Sequence, residues 1–224
     1  MSVLLVTAHM LTPIASVEPI HLDALLVAAS TGAPLSRRDE VPPLPALPIV
    51  HLDMHGERVY LCSSWQFPDG ASQGRDHVTK RRDGEDVDWL AQPFTPSAGP
   101  GKNYQLPVLT VEAATVAWLC VGTRRGVKSL LRYVTSVGPK RRMGYGRVQR
   151  WTVEEARERR PIDTLMDDEA ARFLPRSWLQ DAEMVERGPV CSPYWHPARV
   201  TQRVRPGWMC RLRADVLAEV EGTK

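Results

Sequence analysis

No CxxC pair occurs in this sequence. Its four cysteines, Cys62, Cys120, Cys191 and Cys210, are far apart. A disulfide framework is therefore not indicated, and free thiols in a reducing cytoplasm are the simplest reading. The nearest thing to a metal set, Cys191, His196 and Cys210, has a spacing that fits no common zinc pattern. No run of about 18 apolar residues is present, so no transmembrane helix and no membrane partner are expected. A signal peptide is not expected either. His9, Pro13, Glu18, Pro19, His21 and Asp23 interrupt the apolar start, which lacks a basic leading region. There is no GxxxxGK[ST] pattern, which argues against a mononucleotide P-loop.

The most informative absence is of acid. Between Glu112 and Glu154 there is no Asp or Glu. The same window carries Arg124, Arg125, Lys128, Arg132, Lys140, Arg141, Arg142, Arg147 and Arg150. The whole chain has a net charge of only +3, so this window makes a local field far stronger than the total suggests. A lone KRR triplet reads as a solvated face. Here the cations frame a glycine loop, which favours contact with a polyanion.

That loop is "GPKRRMGYGR", residues 138–147. It sets Gly138, Gly144 and Gly146 among Lys140, Arg141, Arg142 and Arg147, with Tyr145 between two glycines. Glycine permits positive φ and close approach of the backbone to a ligand. Consecutive amides in such a turn can form a concave nest for phosphate oxygens. The cations add charge, arginine through a bidentate fork, and Tyr145 is a candidate to stack on a base or sugar. A tight crossover from helix to strand would use the same glycines for geometry and pack Tyr145 inward. The two readings are compatible.

Along the chain, "SVLLVTAHM" (2–10) reads as a buried strand. Residues 18–31 read as a helix with Leu22, Leu25, Leu26 and Ala29 on one apolar face and Gly32 as its stop. The proline-rich 32–48 is an extended connector. Residues 49–65 read as two strands around a tight turn at His55-Gly56-Glu57. From Gln66 to Pro107 periodicity fades into a long, partly mobile insertion. "LPVLTVEAATVAWLCVG" (106–122) reads as one central strand covered on both sides. Thr123 is placed to cap a helix with Val127, Leu130, Leu131 and Val134 inward, ended by Gly138-Pro139. Residues 147–153 form the last strand. The order is βαββαβ, an α+β ferredoxin-like unit over 1–153. A C-terminal extension, 154–224, starts charged and helical and ends in a hairpin around Arg205-Pro206-Gly207. Trp178, Trp195 and Trp208 serve a core of its own or pack it onto the first unit.

Trp65, Trp89, Trp118 and Trp151 read as packing residues rather than stacking platforms, Trp118 as core. His51 and His55 flank a turn and read as surface residues. Arg199, Arg203, Arg205, Arg211 and Arg213 form a second basic group, open to a nucleic-acid, subunit-contact or solvated-face reading.

"VKSLLRYV" followed by "GPKRRMGYGRVQRW" leading into a strand is similar to the glycine-rich loop of the RAMP superfamily of CRISPR proteins. "HLDALLVAA" is similar to the first helix of that superfamily. The pairing looks most like the Cas-five-type subunit of type IV CRISPR effector complexes. The matching segments are roughly 3–30 and 108–153, about a third of the chain. The resemblance implies an RRM-like fold with a thumb insertion between the second and third strands. It implies a grip on the 5′ repeat-derived handle of a guide RNA, at the end of a backbone of repeated RAMP subunits and beside the large subunit. Target DNA is a further candidate partner, and no cofactor or metal is implied. The RNA-binding residues would be Gly138, Lys140, Arg141, Arg142, Gly144, Tyr145, Gly146 and Arg147, with Arg124, Arg125 and Lys128. The thumb would be 66–107, with His77, Lys80, Arg81 and Arg82 as its contacts. Its acids Asp83, Glu85, Asp86 and Asp88 suit a neighbouring subunit instead.

Some RAMP proteins cut repeat RNA without a metal, which needs a general base and a general acid. On that alternative His21 would be the base, with Tyr145 and Lys140 completing the site. A shielded, hydrogen-bonded helix-entry residue is the plainer reading of His21, with Asp23 at the helix's positive end. The expectation is a non-catalytic subunit. A scaffold protein without RNA contact is the second alternative.

Overall fold

The computed structural model describes residues 1–31, 45–80, 104–194 and 196–223. The β-branched start forms β1 (Ser2–Met10), and a helix, α1 (Leu22–Thr31), follows. Helix α1 begins later than its apolar pattern suggests, because His21 is still extended, bridged to Ser64. A hairpin follows, β2 (His51–Met54) and β3 (Glu57–Tyr60). Its turn is the two residues His55 and Gly56, both at positive φ, 52° and 79°, the geometry that matches strand twist in two-residue hairpins.

The stretch expected to be an irregular insertion is framed by two long strands, β4 (Ser72–Lys80) and β5 (Tyr104–Glu112). They pair antiparallel over their whole length, from Ser72 with Glu112 to Lys80 with Tyr104. Residues 81–103, with Arg81, Arg82, Trp89 and the four acids, lie outside the described residues. The single central strand expected at 106–122 is two strands, β5 and β6 (Thr115–Gly122), broken at Ala113-Ala114. Continuous apolar character hid this break, because β5 belongs to the ribbon and β6 to the main sheet.

After β6 come α2 (Arg124–Leu131) and β7 (Val148–Glu155). Thr123 holds the N-cap position without a side-chain capping bond. Helix α2 stops at Leu131, about two turns before Gly138, the glycine expected to end it. The main sheet has the order β6-β1-β7, all antiparallel. Beyond β6 the chain after β3 adds a fourth row, with antiparallel bridges Cys62 to Cys120 and Gln66 to Ala117. One face of this sheet carries Leu4, Val6, Ala8, Val116, Trp118, Cys120 and Val153 against Leu22 and Leu26 of α1 and Val127 and Leu131 of α2. Alternation along β1 decides which face each residue joins. Trp118 is fully buried, and its indole N–H donates to the Ile20 carbonyl at 2.8 Å.

The C-terminal part is built differently from the charged helix expected at its start. Strand β7 runs to Glu155, and Pro161–Thr164 is a single 3₁₀ turn. Short strands follow: β8 (Met166–Asp167), β9 (Glu169–Ala170), β10 (Leu174–Pro175), β11 (Leu179–Ala182), β12 (Glu186–Pro189), β13 (Val200–Val204) and β14 (Cys210–Leu212), then α3 (Ala214–Gly222). The chain does turn at Gly207, φ 82°, but the arms do not form a hairpin. Strand β13 pairs with β10 and β12, whereas β14 pairs with β11. The result is a mixed α/β architecture of mostly antiparallel strands with three α-helices among the described residues. Among them no helix is long and apolar enough to cross a membrane.

A second core joins the two halves. Leu52, Val59, Leu61 and Val121 pack with Ile162, Leu165, Leu174, Trp178, Val204, Val216 and Val220. A buried polar cluster joins them again. Asp23 on α1 and Arg172 before β10 are both fully buried, 3.8 Å apart. The Arg172 guanidinium donates to the carbonyls of Tyr60, Cys62 (3.0 Å) and Val190 (2.9 Å) and to the Tyr194 hydroxyl (3.0 Å). The Tyr194 hydroxyl donates to Asp23 at 2.9 Å, and the Ser192 amide donates to the same carboxylate at 3.3 Å. Such a pair is tolerable in a dry interior only because its remaining donors and acceptors are satisfied.

Removing one member leaves the other charge buried and unpartnered. Arg172→Met should therefore destabilise the protein by about 3–5 kcal/mol, and Asp23→Leu similarly. The double variant should lose clearly less than the sum of the two. Denaturant unfolding of the four proteins measures this coupling; additive losses would show that the pair does not act as a unit.

Candidate nucleic-acid interface

Residues 132–148 leave α2, pass through the glycine loop and enter β7. The loop is closed by short-range bonds that its sequence makes possible. Lys140 adopts a left-handed conformation, φ 57°, and Arg141–Met143 form one 3₁₀ turn ended by Gly144 at φ 91°. Gly146, φ 66°, is wedged against the opposite side of the loop: a Cβ there would lie 1.8 Å from the Val137 carbonyl oxygen. Its N–H donates to the Pro13 carbonyl at 2.7 Å, and its carbonyl accepts from the Val137 amide at 2.8 Å. The Gly144 carbonyl and the Arg147 amide are both held by the Thr12 hydroxyl, at 2.8 and 2.9 Å. Gly138, φ 85°, sits over Ile14 and Ile20, where a Cβ would approach Ile14 to 2.8 Å.

The glycines thus serve the crossover. The amides of Met143, Gly144, Gly146 and Arg147 are engaged inside the protein, so the phosphate nest expected at the glycines does not form there. Tyr145 is also turned inward, 8% exposed, packed with Ala15 and Val108. Its hydroxyl donates to Asp76 of β4 at 2.5 Å, which holds the Asp76 carboxyl below its usual range. Of the two readings of Tyr145, its placement matches the inward one: it fastens the loop to the ribbon.

The loop instead carries cations on its outside. Lys140, Arg141, Arg142 and Arg147 are exposed, as are Arg124, Arg125, Lys128, Arg132 and Arg150. Among the described residues none of these nine is in an ion pair. Arg124 donates to the Val153 carbonyl at 2.9 Å, and Arg150 lies 3.4 Å from His9. The second basic group differs. Arg203 is bound to Glu186 (2.6 Å), Arg205 to Glu18 (2.7 Å) and Arg213 to Asp215 (3.2 Å). Three of its five arginines are neutralised locally, so it is chiefly a structural set.

On the ribbon, His77 is exposed and Lys80 ends β4. A cleft of about 510 Å³ lies beside the loop, lined by 10–13, 69–72 and 112–114. It carries Asp69 and Glu112, the wrong charge for a phosphate. Cys191, His196 and Cys210 do not gather, and among the described residues no three His, Cys, Asp or Glu groups come together to hold a metal.

Tyr145 packs with Ala15 and Val108 and bonds Asp76, whereas His21 has other neighbours. His21 is 2% exposed, between Phe173 and Tyr194, with ring centroids 4.7 and 5.1 Å away. Neither ring nitrogen has a hydrogen-bond partner among the described residues. Burial, with Arg172 and Arg203 nearby, pushes its pKa well below the usual 6.5. Sequence reasoning missed this cluster of three rings, in which Phe173 and Tyr194 also touch each other at 6.5 Å, and the Arg172 network, whose members include positions 23, 62, 172 and 194. Only the unusual pairing of Asp23 with an apolar helix start hinted at a distant partner.

Two outcomes follow. Gly146→Ala should cost about 3 kcal/mol or more, combining a backbone clash with left-handed strain, whereas Gly144→Ala, with open space at its Cβ, should cost about 1–2 kcal/mol. Denaturant unfolding separates them. For His21, the unfolded chain takes up a proton below about pH 6.5 while the folded chain resists it. Stability is then lost as pH falls from 6.5 toward the depressed folded value. His21→Phe should flatten that loss, read from unfolding midpoints across this pH range.

The family model for the CRISPR type IV associated protein Csf3 matches residues 72–206, more than half of the 224 residues. No curated protein matches the chain. The matched span starts at the β4–β5 ribbon, contains the whole acid-free window with its glycine loop, and continues through Arg172 and Tyr194. By that match the chain belongs to the type IV CRISPR-associated Csf3 family.

Proposed function

We propose that this protein is a non-catalytic, RNA-binding subunit of a type IV CRISPR effector complex. In this reading the outer surface of the glycine loop holds the phosphate backbone of the guide RNA's 5′ repeat-derived handle. Lys140, Arg141, Arg142 and Arg147 are the principal contacts, with Arg124, Arg125 and Lys128 from α2 beside them. The observation that carries it is the set of nine exposed cations without an ion pair among the described residues, in a chain whose other basic group is largely paired. Cations left unpaired by their own protein are available to release counterions from a polyanion.

The strand order supports a ferredoxin-like reading of the first unit, since the row after β3, then β6, β1 and β7, reproduces the 2-3-1-4 order of a βαββαβ fold. The β4–β5 ribbon leaves the sheet between the second and third of these strands, the place of a RAMP thumb. Its exposed His77 and the end of β4 at Lys80 would extend the RNA path. The complex would place this subunit at the end of the repeated RAMP backbone, next to the large subunit and near target DNA, in the cytoplasm. Burial of His21 favours binding over cleavage.

Charge reversal at Lys140, Arg141 and Arg142 should weaken binding of single-stranded repeat RNA. It should also make the salt dependence shallower by about 0.7 in log–log slope per lost contact. Fluorescence anisotropy across a salt series measures both. Unchanged affinity and slope would assign the protein to a scaffold role without RNA contact.

A further inference from the structure

We propose that Tyr133 is the platform on which a base of the bound single-stranded RNA stacks, a role that rests on the phosphate-contact reading above. Among the Phe, Tyr and Trp side chains that the structure describes, Tyr133 is the one that is exposed, with 72% of its surface accessible. It has no ring contact and no side-chain hydrogen bond among those residues. Other aromatic side chains are committed to the fold. Tyr145 is bonded to Asp76, Trp118 and Trp151 face each other at 5.8 Å, and Trp65 lies against Phe67 at 5.1 Å.

Exposure of a single ring would mean little elsewhere on a protein surface. Its position gives it meaning. Tyr133 lies inside the acid-free window, directly after Arg132 and five residues after Lys128. Its backbone is fixed. The Tyr133 amide donates to the Leu130 carbonyl and the Val134 amide to Leu131, closing the end of α2. The next residues are laced to the strand that leaves the glycine loop. The Trp151 indole donates to the Val134 carbonyl at 2.8 Å, the Val148 amide donates to Thr135, and Ser136 is bridged to Arg147. The ring is thereby presented from a rigid segment tied to the strand that bears Arg147 and Arg150. A splayed base needs such a flat partner, and the phosphates on either side of it need cations. Stacking on an aromatic face tolerates any base, so the site selects single strands over duplexes rather than one sequence.

The test uses the full chain with two labelled probes, a single-stranded oligouridine and an abasic ribose-phosphate oligomer of the same length. Tyr133→Ala should weaken oligouridine binding by about fivefold to a hundredfold. It should leave the abasic oligomer and the salt slope unchanged. Tyr133→Phe and Tyr133→Trp should bind oligouridine as the parent does, and all three variants should keep the parent's unfolding midpoint. Parental affinity of Tyr133→Ala for oligouridine would overturn the proposal, as would an equal loss on both probes. So would retained RNA binding with lost co-purification of another subunit, which would make the ring a protein contact. Failure of the phosphate reading has a different signature: charge reversal at Lys140, Arg141 and Arg142 would leave binding of both probes unchanged.

Discussion

A carboxylate and a guanidinium with no access to water hold this protein together. Asp23 enters from the first turn of α1, and Arg172 from the segment that leads into β10. Neither charge is tolerable alone at zero exposure, so every group around them is set to serve the pair. Carbonyls from Tyr60, Cys62 and Val190 accept from Arg172, and Tyr194 bridges it to Asp23. Burial and the Asp23 charge push the Cys62 thiol up to about 12 and the Tyr194 phenol upward too, so both stay protonated and keep their hydrogens in the network. The pair commits the C-terminal segment to one placement over α1 and the strand after β3. Apolar packing at the second core supplies the driving force, but hydrophobic contact alone is tolerant of small shifts. The ionic network is not, because each displaced donor would be left unsatisfied.

The same segment extends this order outward. Arg203 lies 3.5 Å over the Phe173 ring while binding Glu186 and the Pro189 carbonyl. A Cβ on Gly188 would come within 2.3 Å of that guanidinium, so Gly188 is the residue that admits it. Phe173 in turn covers His21. A line of flat groups therefore runs from the surface to the Asp23 pair. This accounts for the sorting of arginines in the chain. In the C-terminal part, Arg172, Arg203, Arg205 and Arg213 are drawn into carboxylates or ring faces and act as structural cross-links. Those between 124 and 150 have no acid within their own stretch and stay on the surface. Paired cations contribute little field at a distance, whereas nine unpaired ones on adjoining elements reinforce one another.

How far the sequence disclosed this depended on whether the governing interaction was local. Strand β1, helix α2 and strand β7 follow from alternation and the i, i+3, i+4 spacing around Leu4, Val6, Val127 and Leu131, which are local patterns. The His55-Gly56 turn is likewise written in two residues. The break at Ala113-Ala114 was hidden because β5 and β6 are both apolar, and composition does not reveal that a strand has changed sheets. Residues 200–212 looked like a hairpin because turn chemistry at 205–207 is local, while the partners that separate its arms, β10, β11 and β12, are not. The cation cluster was legible, since it depends on sequence density alone. Inward packing of Tyr145 was one of the two readings its sequence allowed, but its partner Asp76, 69 positions away, was not legible.

In the glycine loop the glycines serve the path of the backbone, and on the proposed function they would not themselves touch the RNA. Gly146 lets two backbone segments meet closer than any side chain allows, and Gly144 and Gly138 take positive φ where the path must reverse. Thr12 and Pro13 then lock the far side of the loop to the end of β1. With its inner amides spent, the loop has little freedom left, so its outer cations are held in place before any ligand arrives. Flexible cations lose conformational freedom on binding, whereas cations projecting from a fixed backbone lose mainly side-chain freedom. In the proposed reading the glycines would contribute to polyanion affinity indirectly, by making rigid a turn that would otherwise be forced open, while the contacts themselves would come from the neighbouring cationic side chains.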